Sequence, residues 1–161
     1  MFKKVLIPLD GTAEAEGVYG AVQDDLDRDC EVVLLHVVRP EVVQTAEGAA
    51  FKGSTSHVEQ ERRRMNLHLR GAVLRMHGDP EKWRCVVSIA ESIPGGIMEA
   101  ARAEGADLIA MYAPARTGLG KLLGGNGTAR EVQRNAPCEV RIIGAADLAA
   151  AAVSRRVHST P

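Results

Sequence analysis

With 161 residues, 45% of them hydrophobic and 25% charged, the chain has the size of one globular domain able to bury roughly 70% of its unfolded surface. A formal net charge of -1 and a sequence pI of about 6.5 supply no overall positive field to draw it onto nucleic acid or an acidic membrane. Cys30, Cys85 and Cys138 are too few and too widely spaced for a disulfide framework or a paired-cysteine zinc site, and they read as reduced thiols in a cytosol.

The N-terminus, Met1-Phe2-Lys3-Lys4, runs into an apolar stretch that meets Pro8 and Asp10. That is too short for a signal peptide or a membrane span, so the expected compartment is the cytoplasm. The same stretch, residues 4–9, predicts a first strand buried on both faces. Asp10-Gly11-Thr12 ends it, and Ala15, Val18, Val22 and Leu26 then fall on one face of a helix predicted over 13–27, with Thr12 as its cap. Residues 31–38 (Glu-Val-Val-Leu-Leu-His-Val-Val) form the clearest strand, again continuous rather than alternating. Pro40, Gly48, Gly53 and Ser54-Thr55-Ser56 predict a long mobile loop over 39–56.

Ser56 with Glu59 fits a capping box, and Val58, Met65, Leu69, Ala72, Val73 and Met76 trace a long amphipathic helix that ends near His77-Gly78. On its outer side Arg62-Arg63-Arg64 reads as a solvated face balanced by Glu59 and Glu61, ahead of a phosphate grip. A third strand is predicted over 83–90. A third helix opens at Ser92-Ile93-Pro94, buries Ile97, Ala100 and Ala101, and stops at Gly105. A fourth strand follows over 107–112. After a glycine-rich stretch, Thr128 and Glu131 make a second capping box for a short helix to Asn135, and Val140 to Ile143 form a fifth strand. Regular alternation of strand and helix predicts an α/β fold: a three-layer, doubly wound sandwich around a mostly parallel sheet. The alanine-rich tail, 144–161, can add a short helix from Asp147.

In such a sheet, ligands bind beyond the carboxyl ends of the strands. Asp10 follows the first strand, Val37 and Val38 end the second, and the glycine-rich stretch follows the fourth. A carboxylate there accepts hydrogen bonds from ribose hydroxyls or an exocyclic amine, and free backbone at a strand end reads an adenine edge. Asp10 fits equally well as the cap of the next turn. The stretch from Arg116 to Thr128 ends at a helix start, where free N–H groups favour phosphate. It matches neither nucleotide loop: Ala115 and Leu122 occupy the first-glycine and Ser/Thr positions of a P-loop, and Leu123 breaks the dinucleotide fingerprint.

His36 reads as a core histidine, and His57, His68, His77 and His158 lack metal-ligand spacing. No Gly-x-Ser-x-Gly turn is present and Cys138 reads as a packing residue, so no catalytic residue is assigned and the chain is read as a non-enzyme.

Five segments carry a resemblance. Ile7-Pro8-Leu9-Asp10, Leu34-Leu35-His36-Val37-Val38, Ala106-Asp107-Leu108-Ile109, Arg116-Thr117-Gly118-Leu119 and Ala136-Pro137-Cys138-x-Val140 occur in that order, and over residues 2 to 143 the chain resembles the universal stress protein family. The resemblance implies a five-stranded parallel sheet ordered 3-2-1-4-5 in a domain of residues 1–143. It also implies a homodimer through the last strand, Val140 to Ile143, and, in one branch, bound ATP, which would bring magnesium. In that branch Asp10 and Val37 would hold adenine and ribose, Met111 and Tyr112 would line the ribose, and Ala115, Gly125, Asn126 and Gly127 would face phosphates, with Thr128 at the helix cap. The branch's glycine pattern falls on Tyr112, Ala115, Gly125 and Asn126, of which only Gly125 matches. Three readings follow: a regulatory module whose loops at 39–56 and 113–127 respond to ATP, ADP or AMP; a dimeric interaction module with no nucleotide in its cleft; or a slow nucleotide hydrolase resting on Asp10.

Overall fold

The computed structural model describes residues 1–40, 42–45, 48–51, 55–114 and 127–158. In chain order the elements are β1 (Phe2–Pro8), α1 (Ala13–Val22), β2 (Leu26–Val38), β3 (Val42–Thr45), β4 (Gly48–Phe51) and α2 (Thr55–Arg75). Then come β5 (Arg84–Ile89), α3 (Ile93–Glu104), β6 (Leu108–Tyr112), α4 (Gly127–Asn135), β7 (Glu139–Ile143) and α5 (Ala145–His158). The main sheet runs β5-β2-β1-β6-β7 with every neighbour parallel. Counting its five strands in sequence, that is the 3-2-1-4-5 order the resemblance implies.

The continuous apolar strands are buried from both sides. Val5, Ile7, Val32, Leu34 and Leu108 point toward α1 and α2, where they meet Val18, Leu69 and Val73. Leu6, Val33, Leu35 and Ile109 point the other way, onto Ile97 and Ala101 of α3 and Val132 of α4. Each such fully hidden side chain contributes about 1.5–3 kcal/mol. Cys30, Cys85 and Cys138 are free and half-buried, and burial pushes all three thiols above their ordinary pKa, so they stay protonated packing groups. Asp107 fixes the entry of β6 against β1: its two oxygens accept the amides of Lys3 and Lys4 at 2.9 Å, and its own N–H donates to the Lys4 carbonyl.

Several expectations need correction. The predicted loop over 39–56 contains a hairpin, β3 and β4 paired antiparallel from Val42↔Phe51 to Thr45↔Gly48. Val42-Val43-Gln44-Thr45 carries the strand propensity that the neighbouring glycines obscured. α1 ends at Val22, not Asp27, and passes through a 3-10 turn over Gln23–Asp25 into β2, which starts five residues before the predicted Glu31. Leu26 fits the helical face by spacing, yet its buried side chain is the first of β2 and pairs with Phe2. Both capping-box serine/threonine positions fall inside their helices, because α2 starts at Thr55 and α4 at Gly127. The α3 signals do match: Ser92 accepts the Gly95 amide, and Gly105, at φ 66, takes the left-handed turn that ends the helix.

The basic triplet of α2 is paired along its own helix, three arginines on two carboxylates. Arg62 pairs with Glu59 at 3.0 Å, Arg63 with the same carboxylate at 3.6 Å, and Arg64 with Glu61 at 2.9 Å. α5 lies on α1, with Leu148 over Gly17. Among the described residues no helix is long and apolar enough to cross a membrane.

α3 approaches the sheet through Gly96, where an added Cβ would stand 2.6 Å from Val37 Cγ1 and 3.0 Å from Ala90 Cβ. Gly96→Ala is therefore expected to cost about 1–3 kcal/mol through overpacking. The measurement is a urea unfolding curve, in which the midpoint should fall with the slope unchanged.

Candidate functional site

β1 lies between β2 on one side and β6 on the other. The crossover leaving β1 goes to the α1 face, and the one leaving β6 goes to the α4 face. Where neighbouring crossovers part in this way a crevice opens above the strand ends. A cavity of about 380 Å³ occupies it, within the size range of small-molecule sites. Of the residues expected at the site, Asp10, Val37, Met111, Tyr112 and Thr128 all line this one cavity. Gly127 opens α4, and among the described residues no atom lies within 4 Å of where its Cβ would be. Ala115, Gly125 and Asn126, with the rest of the 116–126 stretch, lie outside the described residues.

Asp10 holds the turn after β1 and also stands at the cavity. Its Oδ1 accepts the Thr12 amide at 2.9 Å and the Thr12 hydroxyl at 2.6 Å, while Thr12 Oγ1 accepts the Ala15 amide and caps α1. Its Oδ2 has no partner among the described residues, and the side chain is exposed at the cavity. Gly11, at φ 89, lets the backbone turn sharply enough to hold the carboxylate there.

His36, expected to be a core residue, is half-buried and lines the cavity. Its Nδ1 lies 2.9 Å from the Leu9 carbonyl oxygen. A carbonyl only accepts, so Nδ1 carries the proton and, in the neutral ring, Nε2 is an acceptor. This bond has a backbone consequence. The Leu9 amide donates to the Leu35 carbonyl, so odd-numbered residues of β2 turn toward β1, and Val37 is next in that series. β1–β2 pairing stops at Pro8↔Leu35, and the Leu9 carbonyl that would continue it is taken by His36. Among the described residues no hydrogen bond continues the ladder beyond Leu9, so the N–H and C=O of Val37 have no strand partner on the cavity side.

The opposing wall is apolar, formed by Ile93 and Ile97 of α3 with Met111 and Ala129. Sequence placed Ile97 in the core and did not assign Ile93. The available signal was topological, since the first turn of a crossover helix lies at the same end of the sheet as the carboxyl ends of the strands. Tyr112 ends β6 with its ring packed against the cluster on the α1 side, and the cavity persists beside it. The site thus has an apolar slot, unpaired backbone at its rim, a carboxylate with one free oxygen, and the start of a helix.

Comparison with known proteins now has a geometry to attach to. The profile of the universal stress protein family matches residues 1–144. No curated protein matches the sequence. Among solved structures, a universal stress protein in complex with cAMP aligns at TM-score 0.62 and 13% identity, over 88% of this chain and 97% of that one. The universal stress protein from Archaeoglobus fulgidus in complex with dAMP aligns at 0.52 and 15% identity, over 89% and 98%. A universal stress protein family protein from Arabidopsis thaliana with AMP bound aligns at 0.51 and 14% identity, over 88% and 91%. At these identities the structures share a fold. With the profile spanning nearly the whole chain over that same sheet order, the chain belongs to the universal stress protein family.

Proposed function

We propose that the protein is a cytoplasmic regulatory module that binds an adenine nucleotide in the cavity above β1, β2 and β6, and that it acts through binding rather than turnover. The observation that carries this reading is the pairing of two unlike features in one cavity. The free N–H and C=O of Val37 suit the donor and acceptor edge of adenine, whose ring fits between Val37, Met111, Ile93 and Ile97. Asp10 Oδ2 suits ribose hydroxyls, and Gly127 and Thr128 at the start of α4 suit a phosphate. The names of the three solved relatives, each with an adenine nucleotide, support the same ligand class. Should ATP be the ligand, magnesium would accompany it, bound largely by phosphate oxygens.

Tyr112 bears on which nucleotide fits, because its ring forms part of the wall where the family pattern has glycine. AMP, ADP or ATP at a hundredfold over its dissociation constant should stabilise the protein by about 2.7 kcal/mol, read as a rise in melting temperature. No rise with any of the three would remove the nucleotide reading and leave an interaction module. Tyr112→Gly is expected to tighten ATP binding by about tenfold, measured by calorimetry. A slow hydrolase is the weaker alternative, and phosphate release no faster than the buffer background ends it.

The ligand reading makes His36 a positioning residue. His36→Leu releases the Leu9 carbonyl to pair with the Val37 amide, so affinity is expected to fall by about tenfold while the melting temperature without ligand changes little. Equal affinity in the variant would mean the Val37 amide is not used.

We also propose a homodimer through β7. There the N–H and C=O groups of Val140 and Ile142 turn outward, since the Ala113 amide bonds the Ile143 carbonyl on the inner side. Arg141 on the same strand is tied inward, paired with Asp25 and Glu139 and lying over the Phe2 ring. Light scattering at micromolar protein should give the mass of two chains, and a monomeric mass would refute the proposal.

A further inference from the structure

The opposite edge of the sheet has the makings of a second binding surface. β5 pairs with β2 alone, and among the described residues no strand pairs with its outer side. The Ala90 amide donates to the Val38 carbonyl, so by the two-residue period of a strand Arg84, Val86 and Ser88 turn toward β2. Cys85, Val87 and Ile89 then turn their N–H and C=O groups outward. Free edges are ordinarily blunted by charge, proline or a bulge. From Cys85 to Ile89 there is neither charge nor proline, and the register with β2 runs without a shift.

Two hollows of about 620 and 450 Å³ run along this edge and share Asn66, Arg84 and Cys85 in their linings. Five large hydrophobic side chains are exposed among the described residues, and three of them belong to this region: Leu67 at 71%, Leu74 at 65% and Ile89 at 42%. Leu67 and Leu74 stand two turns apart on α2, one in each hollow. Charge is uneven in the same place. Arg62, Arg63, Arg70 and Arg84 line the hollows against only Glu59 and Glu104. Arg62 and Arg63 share the single carboxylate of Glu59 and Arg84 pairs with Glu104, whereas Arg70 has no carboxylate partner among the described residues.

We propose that the β5 edge docks an extended segment of another protein, rich in acidic and aliphatic residues, which adds as a sixth strand to the main sheet. Outward backbone groups supply register, Leu67 and Leu74 receive aliphatic side chains, and the surplus arginines receive carboxylates. A second copy of this chain is disfavoured as occupant, because two such edges would bring like-charged arginine clusters together. Single-stranded nucleic acid is disfavoured for want of a stacking platform, since Trp83 is engaged with Tyr19 at 4.6 Å between ring centroids.

The test uses the full chain and a fluorescent, end-capped octapeptide alternating valine and glutamate, followed by anisotropy, with a valine–lysine octapeptide as its counterpart. The acidic peptide should bind saturably and the lysine peptide at least about tenfold more weakly. Val87→Pro removes an outward N–H without touching the ladder to β2, as an edge position permits, and should lower affinity by about tenfold. Leu67→Asp with Leu74→Asp, on the helix surface, should do the same and leaves the strand intact. Absence of saturable binding up to about 1 mM peptide, equal binding of the lysine peptide, or indifference to both variants would overturn the proposal. So would a Val87→Pro protein that sediments as a smaller oligomer than the wild type, which would assign the edge to a second copy.

Discussion

Everything at the functional end of this molecule depends on β1 being held at the centre of the sheet. Both its neighbours come later in the chain, β2 as the next strand and β6 from far downstream. The distant neighbour is the harder one to recruit, since closing so long a loop carries an entropic cost before contacts repay it. Asp107 meets that cost locally: a single carboxylate takes the amides of Lys3 and Lys4 just where β1 and β6 begin to pair. Burial on both faces then fixes register, because a one-residue slip would exchange Val5 and Ile7 with Leu6 between two differently shaped cores. With β1 so placed, the crossovers must part above it, and the cavity follows from the topology.

Much of this is legible in the sequence because the main strands are uninterrupted apolar runs and the turns carry glycine, serine and aspartate where backbone geometry needs them. Legibility fails where one residue satisfies two periods. Leu26 fits a helical face and a strand start equally well, and only pairing with Phe2 decides between them. It fails again at β3 and β4, whose pairing partners are each other rather than the main sheet, so no long apolar run announces them. At the site, Asp10 and Val37 could be nominated because strand ends in an α/β sheet have a known purpose. His36 and Ile93 could not, since their importance lies in what they touch. A histidine between leucine and valine looks like core until its bond to the Leu9 carbonyl is seen.

The two edges of the sheet are managed differently. β7 carries a charged residue, but Arg141 is turned in upon Asp25, Glu139 and the Phe2 ring, so its charge is held in local pairs. β5 carries its charge at the first residue only, and the helix above it exposes leucines. A sheet with one edge for self-association and another for an outside strand would let the fold transmit between partners without rearranging its core, since both edges join strands that abut the cavity: β2 through Val37 and β6 through Met111 and Tyr112.

The contact between α3 and β2 sets how such a cavity can change over evolutionary time. Gly96 presses its backbone onto the methyls of Val37, and the same helix contributes Ile93 and Ile97 to the apolar wall. Width of the slot is therefore governed by how closely a helix sits on a strand, not only by which side chains face the opening. Substitutions under α3, out of reach of the opening, would widen or narrow the gap and so change the shape of the cavity while every residue that lines it stays the same.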